Sequence, residues 1–160
     1  MNNELSTSAK RVQDFLSEKG FSFNVKEFPA STRTSQDAAN AIGCEVGQIA
    51  KSLVFKDTNS NQPILIIASG SNRVDANKVQ QSENMILGKA NGKFVKEKVG
   101  FAIGGIPPVA HNQPLQTLLD EDLKKYDIIW AAAGTPNAVF ELNPMDLESM
   151  TKGKWIDLAE

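Results

Sequence analysis

Residues 48–69 read QIAKSLVFKDTNSNQPILIIAS. Two apolar runs, SLVFK (52–56) and ILIIAS (64–69), flank the turn-forming cluster DTNSNQP, and that pattern predicts a β-hairpin. On its N-terminal side a helix is expected from Thr7 to Lys19, where Val12, Phe15, Leu16 and Lys19 fall at helical spacing and Gly20 supplies a stop. FSFNVKEF (21–28) alternates as a strand before Pro29. Thr34 followed by Asp37 starts a second helix with an approximate capping box, and Gly43 ends it. A helical turn over Glu45–Ala50 then delivers the chain to the hairpin.

On the C-terminal side, helices are expected around Asp75–Gln81 and Asn91–Lys96. FAI (101–103) leads into the loop GGIPPVAHNQP (104–114), a strand near Leu115–Leu119 and a turn of helix after Asp120. The apolar run DIIWAAAG (127–134) and the strand AVFEL (138–142) follow. Asn143-Pro144 opens a helix through Met150, and Lys154–Ile156 closes the sheet. Strands and helices mix without regular βαβ alternation. The expected class is α+β, with a mixed, largely antiparallel sheet of short strands curling toward a barrel and flanked by helices. No internal repeat or long linker divides residues 1–160, so one domain is expected.

Composition removes whole classes of chemistry. The chain of 160 residues has one cysteine, Cys44, and one histidine, His111. A Cys/His zinc site, a disulfide framework, a CxxC pair and a two-histidine metal site are therefore unavailable within it. A Ser-His-Asp or Cys-His triad would have to use His111 with an unmarked nucleophile, and is rejected. No cofactor is expected. An unpaired thiol suits a reducing compartment, and no stretch resembles a signal peptide or a membrane span, so a cytoplasmic protein is expected. The net charge of −2 argues against a protein that coats DNA. That total is unevenly spread: residues 73–98 carry six basic and three acidic side chains, 99–119 carry none, and 120–160 carry four basic and nine acidic. The basic segment is either a solvated surface or a weak track for a nucleic-acid backbone.

Three places can carry chemistry. Lys51 sits where a helical turn meets an apolar strand: either its ammonium snorkels to the surface, or it is held beside a low-dielectric pocket to anchor a phosphate or carbonyl oxygen, with Ser52 as an accompanying hydroxyl donor. Gly104 to Pro108, GGIPP, is either a tight turn or a rigid presenter of backbone N–H groups to an oxyanion. AAAGTPNAVFEL (131–142) places small residues before a turn, as close packing or as the floor of a small pocket.

In this order, STRTSQDAANAIGC (31–44), QIAKSLVFK (48–56), ILIIASGSNRVDANKV (64–79), VGFAIGGIPPVAH (99–111) and IIWAAAGTPNAVFEL (128–142) resemble the YbaK/ProX family, freestanding relatives of the editing domain inserted in bacterial prolyl-tRNA synthetases. The resemblance implies a barrel-like α+β fold and hydrolysis of mischarged aminoacyl-tRNA, with prolyl-tRNA synthetase as a possible partner. It places the family's lysine at Lys51, contacting the terminal phosphate or the aminoacyl group. Its Gly-Gly loop falls at Gly104 and Gly105, followed by Ile106 and Pro107, with backbone that holds the reacting carbonyl or its water. Ala132, Ala133, Gly134 and Thr135 border the amino-acid pocket, and Ser31, Thr32 and Arg33 form another wall. His111, after the Gly-Pro loop, tunes substrate choice.

One departure bears on specificity. Relatives that clear cysteine resemble a Ser-Gly-Gly turn where this chain has Ala132-Ala133-Gly134. The alanine floor points to alanine or another small side chain on tRNA(Pro), with serine, threonine and cysteine behind it. The competing reading is a non-catalytic module that binds a tRNA end, a nucleotide or a synthetase.

Overall fold

The computed structural model describes residues 5–29, 32 and 34–160. Ser31 and Arg33 lie outside the described residues. Among the described residues, five α-helices flank one mixed sheet of eight strands. The strands are β1 (Val25–Glu27), β2 (Ile49–Asp57), β3 (Gln62–Ser69), β4 (Leu87–Lys89), β5 (Gln116–Asp120), β6 (Ile129–Ala132), β7 (Ala138–Leu142) and β8 (Lys154–Ile156). Their order is β1-β7-β6-β2-β3-β5-β8, with β4 on β2. Pairing is parallel for β2 with β6, β3 with β5 and β5 with β8, and antiparallel elsewhere. The expected mixed sheet is present, but it stays open, ending at β1 and β8 among the described residues.

The hairpin is the centre of the fold. Its register runs from Ala50 opposite Ser69 to Asp57 opposite Gln62, so both strands are longer than their apolar runs. β3 is buried from Pro63 to Ser69 and splits by alternation. Ile64, Ile66 and Ala68 pack with Val79, Leu118 and Ile156, while Leu65 and Ile67 join the main core with Val99, Phe101, Leu119 and Phe140. Such a two-sided strand reads as an unbroken apolar run.

The helices form where caps and spacing place them. α1 (Thr7–Glu18) starts on the Ser6 hydroxyl, which accepts from Ala9 N, and buries Ala9, Val12 and Leu16 on one stripe. α2 (Ser35–Ile42) is capped by Thr34, which accepts from Asp37 N, and stops at Gly43 in the left-handed region. It lays Ala38 and Ala39 on Ile49, Trp130 and Val139. α3 (Ala76–Glu83), α4 (Gly92–Val99) and α5 (Pro144–Thr151) begin at the caps Asp75, Asn91 and Asn143.

Three local expectations change. The 21–28 strand shrinks to Val25–Glu27, the three residues that β7 pairs with; Phe21 and Phe23 stack on each other before it (ring centroids 5.7 Å apart). FAI (101–103) forms turns and no strand. β4, unexpected from its short polar sequence, forms by pairing Leu87–Lys89 with the far end of β2. Residues 105–110, the heart of the uncharged segment, are buried irregular chain, which explains why no charge is found there.

Candidate active site

The register of β2 leaves a gap in the sheet. Gly70 N donates to Ile49 O (2.7 Å), so Ile49 turns its backbone polar groups toward the β3 side, and alternation turns those of Lys51 and Leu53 the same way. Ala50, Ser52 and Val54 therefore present theirs to the opposite edge. On that edge β6 pairs with Ile49 and Ala50, and β4 pairs from Phe55 to Asp57. Neither strand reaches Ser52. A cleft of about 400 Å³ opens there, walled by Lys51, Ser52 and Leu53 from β2, Gly104 and Ile106 from the loop, Trp130 and Ala132 from β6, and Thr32. Neighbouring side chains on a strand point to opposite faces, yet Lys51 and Ser52 share this cleft because the edge between the faces is open.

Lys51 is held from behind. Its Nζ donates to the Asn72 carbonyl (2.5 Å). The Asn72 amide donates in turn to Asp120 and Asp122 (2.8 Å each). Asp120 is 1% exposed, and its carboxylate also accepts from Ser69 N and Asp122 N (3.0 Å each), so a buried charge is well supplied with donors. Burial, and after it the positive charge of Arg73, holds the Lys51 ammonium below the ordinary lysine range against the opposing pull of Asp120. Asn72 and Asp120 are supports that the sequence did not reveal; only the third residue after Ser69 and the end of an apolar strand marked their positions.

Ser52 Oγ is buried and has no hydrogen-bond partner among the described residues. A hydroxyl left without a partner costs roughly 1–3 kcal/mol, and this one belongs to a residue of the cleft wall.

The glycine loop is docked rigidly. A Cβ on Gly105 would lie 2.6–2.8 Å from the Thr135 backbone, and the Gly105 carbonyl accepts from Gly134 N (2.8 Å). Gly134, at φ +95°, could carry no side chain without meeting Ser8 O at 2.7 Å. Arg11 closes the loop's base: its guanidinium donates to Gly100 O (3.1 Å), Ala110 O (2.8 Å) and Asn112 Oδ1 (3.1 Å), and lies 4.3 Å above the Phe101 ring.

Of the residues expected at the site, the structure brings Lys51, Ser52, Gly104, Ile106, Ala132 and Thr32 to the cleft. Thr32 Oγ1 is occupied, donating to Pro136 O (2.8 Å). Gly105, Gly134 and Thr135 form the loop-to-turn contact behind it, and Ala133 is fully buried in the main core. His111 is elsewhere. Its Nε2 donates to Pro107 O (2.7 Å), and its ring lines a larger hollow of about 610 Å³ with Phe15, Met150 and Lys152. Burial pulls this imidazole below its ordinary range, outweighing the Pro107 bond, with Arg11 pulling the same way. Among the described residues the one unpartnered buried hydroxyl lies on the smaller cleft and none on the larger hollow, which makes the smaller cleft the candidate site. Cys44 packs beside Trp130 and Ile49, and burial pushes its thiol up, away from nucleophilic character. Among the described residues no group of three His, Cys, Asp or Glu side chains could hold a metal, and no helix is long and apolar enough to cross a membrane.

Residues 29–150, which include every wall of the cleft, match the aminoacyl-tRNA editing domain. The chain belongs to that family. A solved structure described as that of a candidate trans-editing enzyme for prolyl-tRNA synthetase shares 48% identity and a TM-score of 0.93, covering 98% of this chain and 99% of its own. The uncharacterized protein YwhH of Bacillus subtilis is 32% identical over 154 residues, 96% of this chain and 98% of YwhH. EbsC of Enterococcus faecalis, named as a candidate Cys-tRNA(Pro)/Cys-tRNA(Cys) deacylase, is 26% identical over 127 residues, 79% of this chain and 77% of EbsC. The editing-domain fold thus spans nearly the whole chain.

Proposed function

We propose that this editing-domain protein is a trans-acting deacylase that hydrolyses the ester of a mischarged tRNA, with tRNA(Pro) carrying alanine as the first substrate. The observation that carries this reading is the half-buried Lys51 ammonium beside an orphaned Ser52 hydroxyl and the glycine loop, in one small apolar cleft. An aminoacyl ester is already activated, so positioning and oxyanion stabilisation are the main requirements. Water adds to the ester carbonyl carbon, the bond from that carbon to the ribose oxygen breaks, and the ribose oxygen takes up a proton. The products are the free amino acid and the tRNA 3′-end. Lys51 anchors the terminal phosphate or the aminoacyl carbonyl, and the Gly104 backbone, on the loop that Gly105 fixes against Gly134, orients the carbonyl or the attacking water.

Ala132, Ile106 and Trp130 make a narrow apolar floor, which selects by size. One methylene is worth about 1–3 kcal/mol, so serine, threonine and cysteine are discriminated incompletely. The protein acts in the cytoplasm, beside or delivered by prolyl-tRNA synthetase. A deacylation panel of tRNA(Pro) charged with alanine, serine, threonine or cysteine tests this reading. Release of alanine fastest supports it; stoichiometric binding without release of any of them contradicts it.

A further inference from the structure

The gap in the sheet has a chemistry of its own. An H-bonded position on an open strand edge offers one N–H donor and one C=O acceptor side by side, facing the same way. Ser52 is such a position: alternation directs its backbone into the gap, the β6 ladder ends at Ala50 opposite Ala131, and the β4 ladder begins at Phe55 opposite Lys89. β2 is half-exposed from Lys51 to Val54, the stretch that lies between the β6 and β4 ladders. The same residue carries the buried hydroxyl that has no partner.

An extended α-amino acyl group is the complement of that edge. Its α-amino nitrogen donates and its carbonyl oxygen accepts, with the spacing of one residue in a β-ladder. We infer that the aminoacyl moiety pairs with Ser52 as a one-residue strand, the α-amino group donating to the Ser52 carbonyl and the Ser52 N–H donating to the acyl carbonyl. This rests on the deacylase reading and deepens it. The backbone recognises any free α-amino acyl group, whatever its side chain, and the apolar walls then sort side chains by size. A free α-amino group becomes a requirement of the site, so acyl groups lacking one are excluded.

The test uses two non-hydrolysable adenosine analogues, 3′-alanylamino- and 3′-propionylamino-3′-deoxyadenosine, which differ only in the α-amino group. Isothermal titration should show the alanyl analogue binding about tenfold or more tightly, the scale of one charge-assisted hydrogen bond. Equal affinities would overturn the pairing. In a second arm the Ser52 amide is replaced by a backbone ester, which deletes that N–H. Binding of the alanyl analogue should fall about tenfold with the fold retained by circular dichroism. Unchanged binding with the fold retained would place that N–H outside substrate recognition and overturn the inference; if the ester variant does not fold, the analogue pair on the unmodified protein decides it. Turnover of alanyl-tRNA(Pro), measured alongside, separates the two claims. Amine-dependent binding without turnover contradicts the deacylase reading alone, and turnover with equal analogue affinities contradicts the pairing alone.

Discussion

The Lys51 ammonium rests on the Asn72 backbone carbonyl at 2.5 Å, and the Asn72 side chain is in turn gripped by Asp120 and Asp122. A cation at the mouth of the cleft is thereby fixed by a buried carboxylate that never touches it. The ammonium keeps its remaining donors for a ligand.

Asn72→Ala should therefore weaken two things at once. It removes a donor from the buried Asp120 carboxylate, and the expected loss is roughly 1–3 kcal/mol of stability, read as a lower midpoint in urea unfolding. It also frees the loop that holds Lys51, so kcat/KM for alanyl-tRNA should fall about tenfold. An unchanged midpoint would show that the Asp120 network contributes little.

Ser52→Ala should move stability and activity in opposite directions. Deleting a buried hydroxyl that has no partner removes an uncompensated desolvation, so the variant should be more stable by about 1 kcal/mol. Deacylation should slow about tenfold if that hydroxyl serves the substrate. A destabilised variant would mean that the hydroxyl is satisfied in solution.

Gly105→Ala places a methyl group 2.6–2.8 Å from the Thr135 backbone and should cost about 1–3 kcal/mol while displacing the loop from the cleft. Gly92→Ala is the matched control, because nothing lies within 4 Å of the added carbon at the start of α4. Thermal unfolding of the pair should show a clear drop for the first and none for the second.

His111 supplies a pH signature. Its folded-state pKa is lowered, mainly by burial, so the unfolded chain binds this proton more readily. Stability from this group is present above the unfolded histidine value of about 6.5 and is lost as pH falls from there toward the lowered folded value. His111→Gln should flatten the fall in Tm as pH drops below about 6.5. Deacylation at neutral pH should change less than in any cleft variant, since the ring lines the other hollow.

Most of the frame was legible in the sequence because it rests on local signals. The 52–56 and 64–69 runs declared the hairpin, Thr34 and Gly43 bracketed α2, and Asn143-Pro144 opened α5. Lys51 stood out because a cation beside an apolar strand is conspicuous. β4 was invisible because Leu87–Lys89 has no strand pattern of its own and exists only through its partner. The gap at Ser52 is likewise a property of where two other strands end, which no residue type announces. Asn72 and Asp120 gained meaning only when folding brought them together across 48 positions. His111 shows the converse: adjacent in sequence to the glycine loop, it is turned away by its bond to Pro107.

In the proposed mechanism Lys51 and its cleft perform the hydrolysis. Its most direct test is single-turnover deacylation of alanyl-tRNA(Pro) by the wild-type protein and by Lys51→Ala, each corrected for spontaneous hydrolysis, with unfolding curves taken in parallel. Lys51→Ala should lower the rate by at least about 100-fold with the fold intact. A folded Lys51→Ala protein that releases alanine at the wild-type rate would contradict it.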